Sequence, residues 1–283
     1  FDATFPADFI AEGLDQTRGW FYTLTVLGAA LFGQSPMKNV VVNGLVLAED
    51  GRKMSKRLKN YPEVDYVFDK YGADALRFTL ATGNAPGNDM RFTDKKVEAS
   101  RNFGNKLWNA ARFVLMNLDE EVDADSINTA ALATEDKWII SKYNAVVKDV
   151  CDNLDKYELG VAVAKLYDFA WDYFCDWYIE LVKPRLNEKG SDTCRTAQHT
   201  LVYVLSGIMK LLHPFMPFIT EEIWQTLPHN GDSIMVSAFP QYKEELVFSE
   251  EEEAMGAVIE AIKALRNRRA ELNVPPSRKA HLY

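Results

Sequence analysis

Two patterns of apolar and polar positions divide the chain near residue 95. Before that point, short runs with strand-like spacing alternate with a helical segment, in the order 9–11, 19–32 and 40–47. Gly44 interrupts the last of these runs, and a Glu-Asp-Gly turn at 49–51 closes it. Strand, helix and strand in this order are typical of α/β nucleotide-binding domains. We therefore expect the first part of the chain to be the tail of such a domain.

After residue 95 the apolar positions recur at the helical interval of three or four residues. The spacing predicts helices over about 97–118, 136–150, 159–182, 193–212 and 250–272. We expect Asp136 to cap the second of them and Pro184 to stop the third, since proline cannot continue a helix. A further helix, interrupted by proline, is expected within 215–239. Helices with short connections between them predict an all-α bundle.

Composition excludes several classes of protein. The 283 residues are 47% hydrophobic and 26% charged, as in ordinary globular proteins. Three isolated cysteines and four scattered histidines lack the spacing of metal ligands, so we expect no protein-bound metal and no disulfide framework. No apolar run reaches the roughly 18 residues that a membrane span needs, and no membrane partner is expected. A net charge of −9 argues against nucleic-acid binding by bulk positive charge but permits local basic patches.

One short segment departs from this acidic balance. Five of the eight residues from Arg52 to Lys59 are basic, and they follow the flexible Gly51. Mobile cations concentrated in a loop are suited to a polyanion such as a triphosphate, whose charge they can follow during a reaction. From charge alone, a solvated basic loop is the favoured interpretation.

The order of residues in this segment indicates a family. The segment Lys53–Arg57 resembles the KMSKS signature of class I aminoacyl-tRNA synthetases, within the isoleucyl, valyl and leucyl subgroup. The upstream segment 5–21 resembles the isoleucyl enzymes, and 71–77 resembles the helix that follows the signature in this subgroup. Residues 1 to about 62 are isoleucyl-like, whereas about 70 to 283 are valyl-like. A fragment, a natural mosaic, an engineered chimera and an uncommon lineage stay open, as does the choice between valine and isoleucine.

The resemblance implies a fold and a set of site residues. Residues 1–95 would be the C-terminal part of a Rossmann catalytic domain, and 96–283 an α-helical anticodon-binding domain. The catalytic role would fall to Lys53, Ser55 and Lys56. ATP would also contact Asn43, Gly44, Val46 and Met54, the last also anchoring the loop in an apolar socket. The aminoacyl-adenylate would lie against Glu12, Gly13, Asp15, Gln16 and Trp20. Contacts to tRNA would come from Arg101, Lys106, Arg112, Arg266 and Arg269.

Each of these roles has a structural alternative. Asp15 could simply cap a helix, and Trp20 could be a core residue with no part in an aliphatic pocket. The basic residues of the helices could form solvated faces. Trp138, Trp171, Trp177 and Trp224 have apolar neighbours in the sequence and are expected to be mostly core.

The resemblance also implies substrates and partners. These are ATP with Mg²⁺ as substrate, a branched-chain amino acid, and a valine- or isoleucine-accepting tRNA. We expect a monomer in the cytoplasm. No histidine begins a HIGH-type tetrapeptide, the family's other nucleotide signature, so the chain alone is expected to be inactive. Two rival hypotheses are a non-catalytic tRNA-binding module or split subunit, and a nucleotide-binding protein that does not bind RNA.

Overall fold

The amino-terminal part of the chain forms a β–α–β unit. The computed structural model describes residues 4–82, 87–119, 122, 124–275 and 277–279. Strand β1 (Ala7–Gly13) and strand β2 (Met37–Asn43) are parallel, and helix α1 (Trp20–Phe32) connects them. A five-residue 3₁₀ turn follows β1. The strand–helix–strand order predicted from the sequence is thus confirmed.

A second, shorter parallel pair follows. Strand β3 (Val46–Leu47) pairs with strand β4 (Met90–Arg91), and helices α2 (Val64–Tyr71) and α3 (Ala73–Thr82) lie between them in the chain. The predicted break at Gly44 separates β2 from β3. A Cβ atom on Gly44 would lie 1.8 Å from the carbonyl oxygen of Asn88, so the two backbones pass too closely for any side chain.

The rest of the described chain is a helix bundle, as predicted. Its members are α4 (Asp94–Met116), α5 (Thr134–Asp155), α6 (Leu159–Asp168), α7 (Ile179–Leu186), α8 (Asp192–Leu212), α9 (Pro217–Thr226) and α10 (Ser249–Glu271). A π-helical segment, Phe169–Tyr178, joins α6 to α7 without a break. Short 3₁₀ turns occur at Thr129–Ala131, Ile234–Val236 and Glu244–Leu246.

Apolar side chains form two clusters. The larger is the bundle core, with fully buried members such as Phe103, Trp138 and Leu201. The smaller, which we call the α2–α3 cluster, consists of Val67, Tyr71, Ala75, Phe92 and Val97, with Val46, Met54 and Leu76 packed against it. This smaller cluster lies where the β-strand part meets the start of α4, so it connects the two parts of the molecule.

Three predicted helix boundaries were wrong, each for a local reason. Asp136 is not the N-cap of α5: the helix begins at Thr134, and the Asp136 carboxylate accepts the N–H of Ala133 from inside the first turn. Pro184 does not stop the third helix, because it lies within α7 and the buried Leu186 still packs into the core. Proline does not interrupt α9, since Pro217 occupies its first turn, where no N–H partner is needed.

The β–α–β unit is the most exposed part of the described chain. Large apolar side chains on both strands and on α1 face water, including Phe9, Leu27, Leu31 and Val40. Parallel sheets are normally covered on both faces. No helix in the described ranges is long and apolar enough to cross a membrane. Within the same ranges, no three His, Cys, Asp or Glu side chains are grouped to hold a metal ion.

Candidate functional site

The basic segment forms a loop that leaves β3 through a tight turn. The N–H of Gly51 donates to the carbonyl of Ala48 at 2.8 Å, and the N–H of Ala48 donates to the carbonyl of Arg52 at 2.9 Å. Lys53 then makes an antiparallel bridge with Leu47. Gly51 has a φ of 82°, which the turn requires and glycine adopts without strain. The predicted acidic-glycine turn is confirmed, and it brings Arg52 and Lys53 back alongside the end of β3.

Asn60 ties the two ends of this loop together. Its side-chain Oδ1 accepts the N–H of Ser55 at 2.9 Å, and its Nδ2 donates to the carbonyl of Lys53 at 3.2 Å. The hydroxyl of Ser55 in turn accepts the N–H of Leu58 at 3.2 Å. We call residues 52–60 the signature loop. Its backbone is fixed by internal hydrogen bonds, so its cationic side chains are displayed from a defined base.

The two lysines of the signature are exposed and unpaired within the described chain. Neither Lys53 nor Lys56 has a hydrogen-bond or ion-pair partner for its ammonium group there. Arg52 differs, because its guanidinium lies 2.6 Å from the Asp50 carboxylate. The backbone N–H of Arg52, together with that guanidinium, lowers the pKa of Asp50. Two cations on an ordered loop are therefore available to an anionic ligand.

Met54 points the other way and packs on the α2–α3 cluster, beside Val46. A long, unbranched thioether side chain fits an irregular apolar site of this kind. The predicted anchoring of Met54 in an apolar socket is confirmed. Neighbouring residues of the loop therefore have different roles. Lys53 and Ser55 lie on its polar side, and Met54 lies on its apolar side.

The second group of candidates lies at the carboxyl end of the parallel pair. In the β1–β2 register Glu12 is opposite Val42 and Gly13 is opposite Asn43. Ligands of α/β sheets bind outside this edge of the strands. The structure therefore brings Glu12, Gly13 and Asn43 together at one edge, although no hydrogen bond or ion pair joins them to the signature loop among the described residues.

Gln16 and Asp15 have local structural roles at this edge. The side-chain oxygen of Gln16 accepts the N–H of Trp20 at 2.9 Å, which caps the start of α1. The side-chain nitrogen of Gln16 donates to the Asp15 carboxylate at 3.1 Å. Trp20 itself is 51% exposed, so in this chain it is not a core residue. Gly44 and Val46 follow β2, where Gly44 makes the close backbone crossing described above.

Three of the five candidate tRNA-binding cations are engaged within the chain. Lys106 is 2.6 Å from the Asp176 carboxylate and lies over the ring of Trp171. Arg101 bonds to Glu98 and lies over the ring of Tyr71. Arg269 donates to the carbonyls of Pro275 and Arg278, both at 2.6 Å, and so ties down the segment after α10.

Arg112 and Arg266 are the two that remain open to a ligand. Arg112 is exposed beside Trp108 and Met116, in a groove between α4 and α9. Arg266 lies 5.4 Å from the ring of Trp177, and Lys263 lies 6.0 Å from the same ring. Both flank a groove of about 670 Å³ between α10, α5 and the π-helical segment. Four acidic residues, Asp172, Asp176, Glu252 and Glu260, line the same groove. Phosphate contact is therefore expected only at the end of the groove where Lys263 and Arg266 lie beside Trp177.

Comparison with known proteins decides the family. A family model described as the anticodon-binding domain of tRNA ligase matches residues 136–283, just over half of the chain. A second model, tRNA synthetases class I (I, L, M and V), matches residues 1–93. The chain belongs to the class I tRNA synthetases.

Individual relatives of this synthetase chain are valine–tRNA ligases. The valine–tRNA ligase of Clostridium acetobutylicum is 49% identical to this chain over 98% of the chain's length. That of Bacillus cereus is 46% identical to it over 100% of the chain's length. The matched part is 31% and 32% of those two proteins. The chain thus spans about a third of the length of the curated relatives it matches.

Solved synthetase structures share the fold at low sequence identity. A ternary complex of Agrobacterium radiobacter K84 agnB2 LeuRS with tRNA and LeuAMS matches 86% of this chain and 29% of that chain, with a TM-score of 0.70 and 20% identity. Mycobacterium tuberculosis methionyl-tRNA synthetase in complex with methionyl-adenylate matches 77% of this chain and 43% of that chain, with a TM-score of 0.60 and 22% identity. The partial Rossmann unit and the helical anticodon-binding domain are both confirmed.

Two residues of this synthetase chain were missed as site components. Asn60 is absent from the predicted site, although asparagine side chains commonly hydrogen-bond nearby backbone groups in turns and loops. Trp177 was assigned to the core, but it is only half-buried and lies under Lys263 and Arg266. The basic character of 263–269 was visible in the sequence, whereas its approach to Trp177 depends on how α10 packs.

Proposed function

We propose that this chain is part of a valine–tRNA ligase, an enzyme that joins valine to its tRNA at the expense of ATP. The observation that carries the proposal is the match to valine–tRNA ligases across both parts of the chain. That match includes residues 1 to about 62, which the sequence motifs assign to an isoleucyl-like origin. The agreement of both parts favours valine over isoleucine.

The signature loop would act on the triphosphate of ATP. When a valine carboxylate oxygen attacks the α-phosphorus, a P–O bond to the β-phosphate breaks and pyrophosphate leaves with Mg²⁺ as part of the substrate complex. Lys53 and Lys56, being unpaired and exposed, would neutralise the charge that builds up on the phosphates. Ser55 would offer its hydroxyl to a phosphate oxygen. Because Asn60 and Met54 fix the loop backbone, the two ammonium groups need little reorganisation.

The edge formed by β1 and β2 would bind the adenylate. Glu12 and Asp15 offer exposed carboxylates, which suit an ammonium group and ribose hydroxyls, while Gly13 and Gly44 allow close backbone approach. Asn43 and Val46 would border the adenine. Trp20 would form a wall of the side-chain pocket, and its exposure at the start of α1 leaves one ring face free for that purpose. Gln16 would support the site by capping α1.

The bundle would bind tRNA through local basic surfaces in spite of the net negative charge. Arg112 and Arg266 are the cations best placed for phosphate contact, with Lys263 and Trp177 beside the latter. Arg101, Lys106 and Arg269 have internal partners, so their contribution would be to shape the surface. The expectations of a monomer and of a cytoplasmic location stay predictions.

The deciding experiment is valine-dependent ATP–pyrophosphate exchange by the full-length protein that carries this chain. We expect kcat/KM to be about 10- to 200-fold higher with valine than with isoleucine, since one methylene group is worth about 1–3 kcal/mol in an apolar pocket. Charging of valine tRNA should follow the same order. Preference for isoleucine would contradict the proposed specificity. Binding of tRNA without any exchange would favour the non-catalytic module, which is the rival hypothesis.

A further inference from the structure

Helix α9 begins on a residue that cannot cap it. Met216 occupies the N-cap position and makes no side-chain cap bond, so the first N–H groups of the helix need another partner. The carboxylate of Asp74 supplies it, accepting the N–H of Phe218 at 3.3 Å and that of Ile219 at 2.7 Å. Asp74 lies in the first turn of α3, so the cap comes from a different part of the fold.

Arg77 holds the neighbouring carbonyls. It follows Asp74 by three residues, which places both side chains on one face of α3. Its guanidinium donates to the carbonyl of Pro214 at 3.0 Å and to that of Phe215 at 3.3 Å. The turn between α8 and α9 is therefore bound by a carboxylate on its N–H groups and by a guanidinium on its carbonyls. We call this pair, Asp74 and Arg77, the α3 latch.

The opposite face of α3 reaches the signature loop. Ala75 is a buried member of the α2–α3 cluster, and Leu76 packs against it. Met54, the anchor of the loop, packs on the same cluster. A continuous path of contacts thus runs from the α8–α9 turn through α3 to Met54. Two other contacts also attach α3 to α4: Phe78 of α3 is buried in the bundle core with its ring 5.0 Å from that of Phe103, and the buried hydroxyls of Thr79 and Ser100 are 2.7 Å apart.

We propose that Asp74 and Arg77 are positioning residues for the signature loop, which they hold in place by locking α3 to the helix bundle. The inference rests on the proposed function and extends it to two residues that touch no substrate. When the latch is broken, α3 and the cluster beneath Met54 can shift. Because a displacement of about 1 Å at a reacting centre costs on the order of 100-fold in rate, a small shift of Lys53 and Lys56 is enough to slow the reaction.

The test uses Asp74→Asn and Arg77→Gln in the full-length protein, with Asp69→Asn as matched control. Asp69 is an exposed residue of α2 with no hydrogen bond or ion pair among the described residues. We expect kcat for pyrophosphate exchange to fall about 10- to 100-fold in both latch variants while KM for valine stays within about twofold. Asp69→Asn should behave as the wild type.

Amide hydrogen–deuterium exchange gives a second readout that does not need activity. The N–H groups of Ala48, Ser55 and Lys59 are hydrogen-bonded in the native loop. In the latch variants these amides should lose protection, whereas those of β1 and β2 should keep it. Arg77→Lys, which retains the charge and one donor, should recover part of both effects.

Each outcome has a definite meaning. Folded latch variants with wild-type kcat and wild-type protection of the loop would overturn the proposal. Equal loss of protection in the loop and in both strands would also overturn it, since that result indicates general destabilisation. If the wild-type protein shows no valine-dependent exchange of pyrophosphate, the proposed function fails, and the amide measurement still decides whether the latch holds the loop.

Discussion

The side chain of Asn60 accepts the backbone N–H of Ser55 at 2.9 Å, closing the signature loop from a residue outside the signature itself. The same side chain donates to the carbonyl of Lys53. The position of the two lysines therefore depends on one amide group five residues beyond Ser55. This dependence leads to the first of the predictions below.

Two substitutions of Asn60 should distinguish the effects of its two hydrogen bonds. Asn60→Asp keeps an acceptor for Ser55 and loses the donor to Lys53, whereas Asn60→Ala loses both. We expect pyrophosphate exchange to fall about 30-fold in the alanine variant and about fivefold in the aspartate variant, since each hydrogen bond is worth about 1 kcal/mol. Steady-state assays of pyrophosphate exchange on the full-length protein compare the rates of the two variants with that of the wild type. An aspartate variant that is slower than the alanine variant would contradict this assignment.

Removing the ammonium group of Lys56 should be far more costly. We expect Lys56→Met to lower kcat for valine activation by about 100- to 1,000-fold, as for other donors aimed at developing charge. Lys95→Met is the control, because Lys95 is an exposed lysine on α4 that lacks a partner in the described chain. Pre-steady-state formation of valyl-adenylate is the measurement. A tenfold effect or less would place Lys56 outside the reacting centre.

The surface of α10 should contribute to tRNA binding by charge. Arg266→Gln should weaken binding several-fold and reduce the slope of log K against log salt by about one. Lys156→Gln, at an exposed lysine after α5, should change neither quantity. Filter binding of valine tRNA over a series of salt concentrations gives both numbers. An unchanged slope in Arg266→Gln would exclude a direct phosphate contact.

Breaking a buried ion pair should destabilise the bundle more than breaking an exposed one. Asp136 is fully buried, and Arg185 binds both of its oxygens at 2.8 Å while Tyr178 donates to it at 2.7 Å. Arg185→Met should lower the free energy of unfolding by about 3–5 kcal/mol, because it leaves a buried carboxylate without its cation. Lys148→Met, which breaks an exposed ion pair with Asp152, should cost at most about 1 kcal/mol. Urea denaturation compares the two, and similar costs would refute the argument.

Stability should also depend on pH through His213. Burial lowers the pKa of His213 below 6.5, against the opposing attraction of Glu221 and Asp74. The unfolded state therefore binds the proton more readily, and stability falls as pH drops from the unfolded-state pKa toward the lower folded-state pKa. We expect His213→Asn to flatten this part of the curve of unfolding free energy against pH. An unchanged slope below pH 6.5 would assign the effect to other groups.

The sequence predicted the helices of the bundle well because their apolar faces repeat over many turns. It failed where tertiary contacts override a local preference. Pro184 continues a helix because Val182 and Leu186 on either side are buried in the core. Asp136 lies inside the first turn of α5 because Arg185 binds it there.

The candidate site was predictable to the extent that it is local in sequence. The signature loop, its turn and the anchoring of Met54 follow from a few consecutive residues. The contacts of Lys106 with Asp176 and of Arg101 with Tyr71 could not be predicted, since packing of distant helices brings these residues together. Glu98, the ion-pair partner of Arg101, is three residues away on the same helix and so is visible in the sequence. The same holds for the α3 latch, because the backbone groups that Asp74 and Arg77 bind are about 140 residues further along the chain.

The close crossing at Gly44 has a consequence for how this sequence can vary. Every other amino acid adds a Cβ atom, and that atom would collide with the backbone of Asn88 rather than with a side chain that could turn aside. Accommodating it would pull apart the hydrogen bonds from Gly87 to Val42 and from Leu45 to Asp89. We therefore expect no other residue to be tolerated at position 44. A deep mutational scan should find every substitution at this position depleted after selection for function.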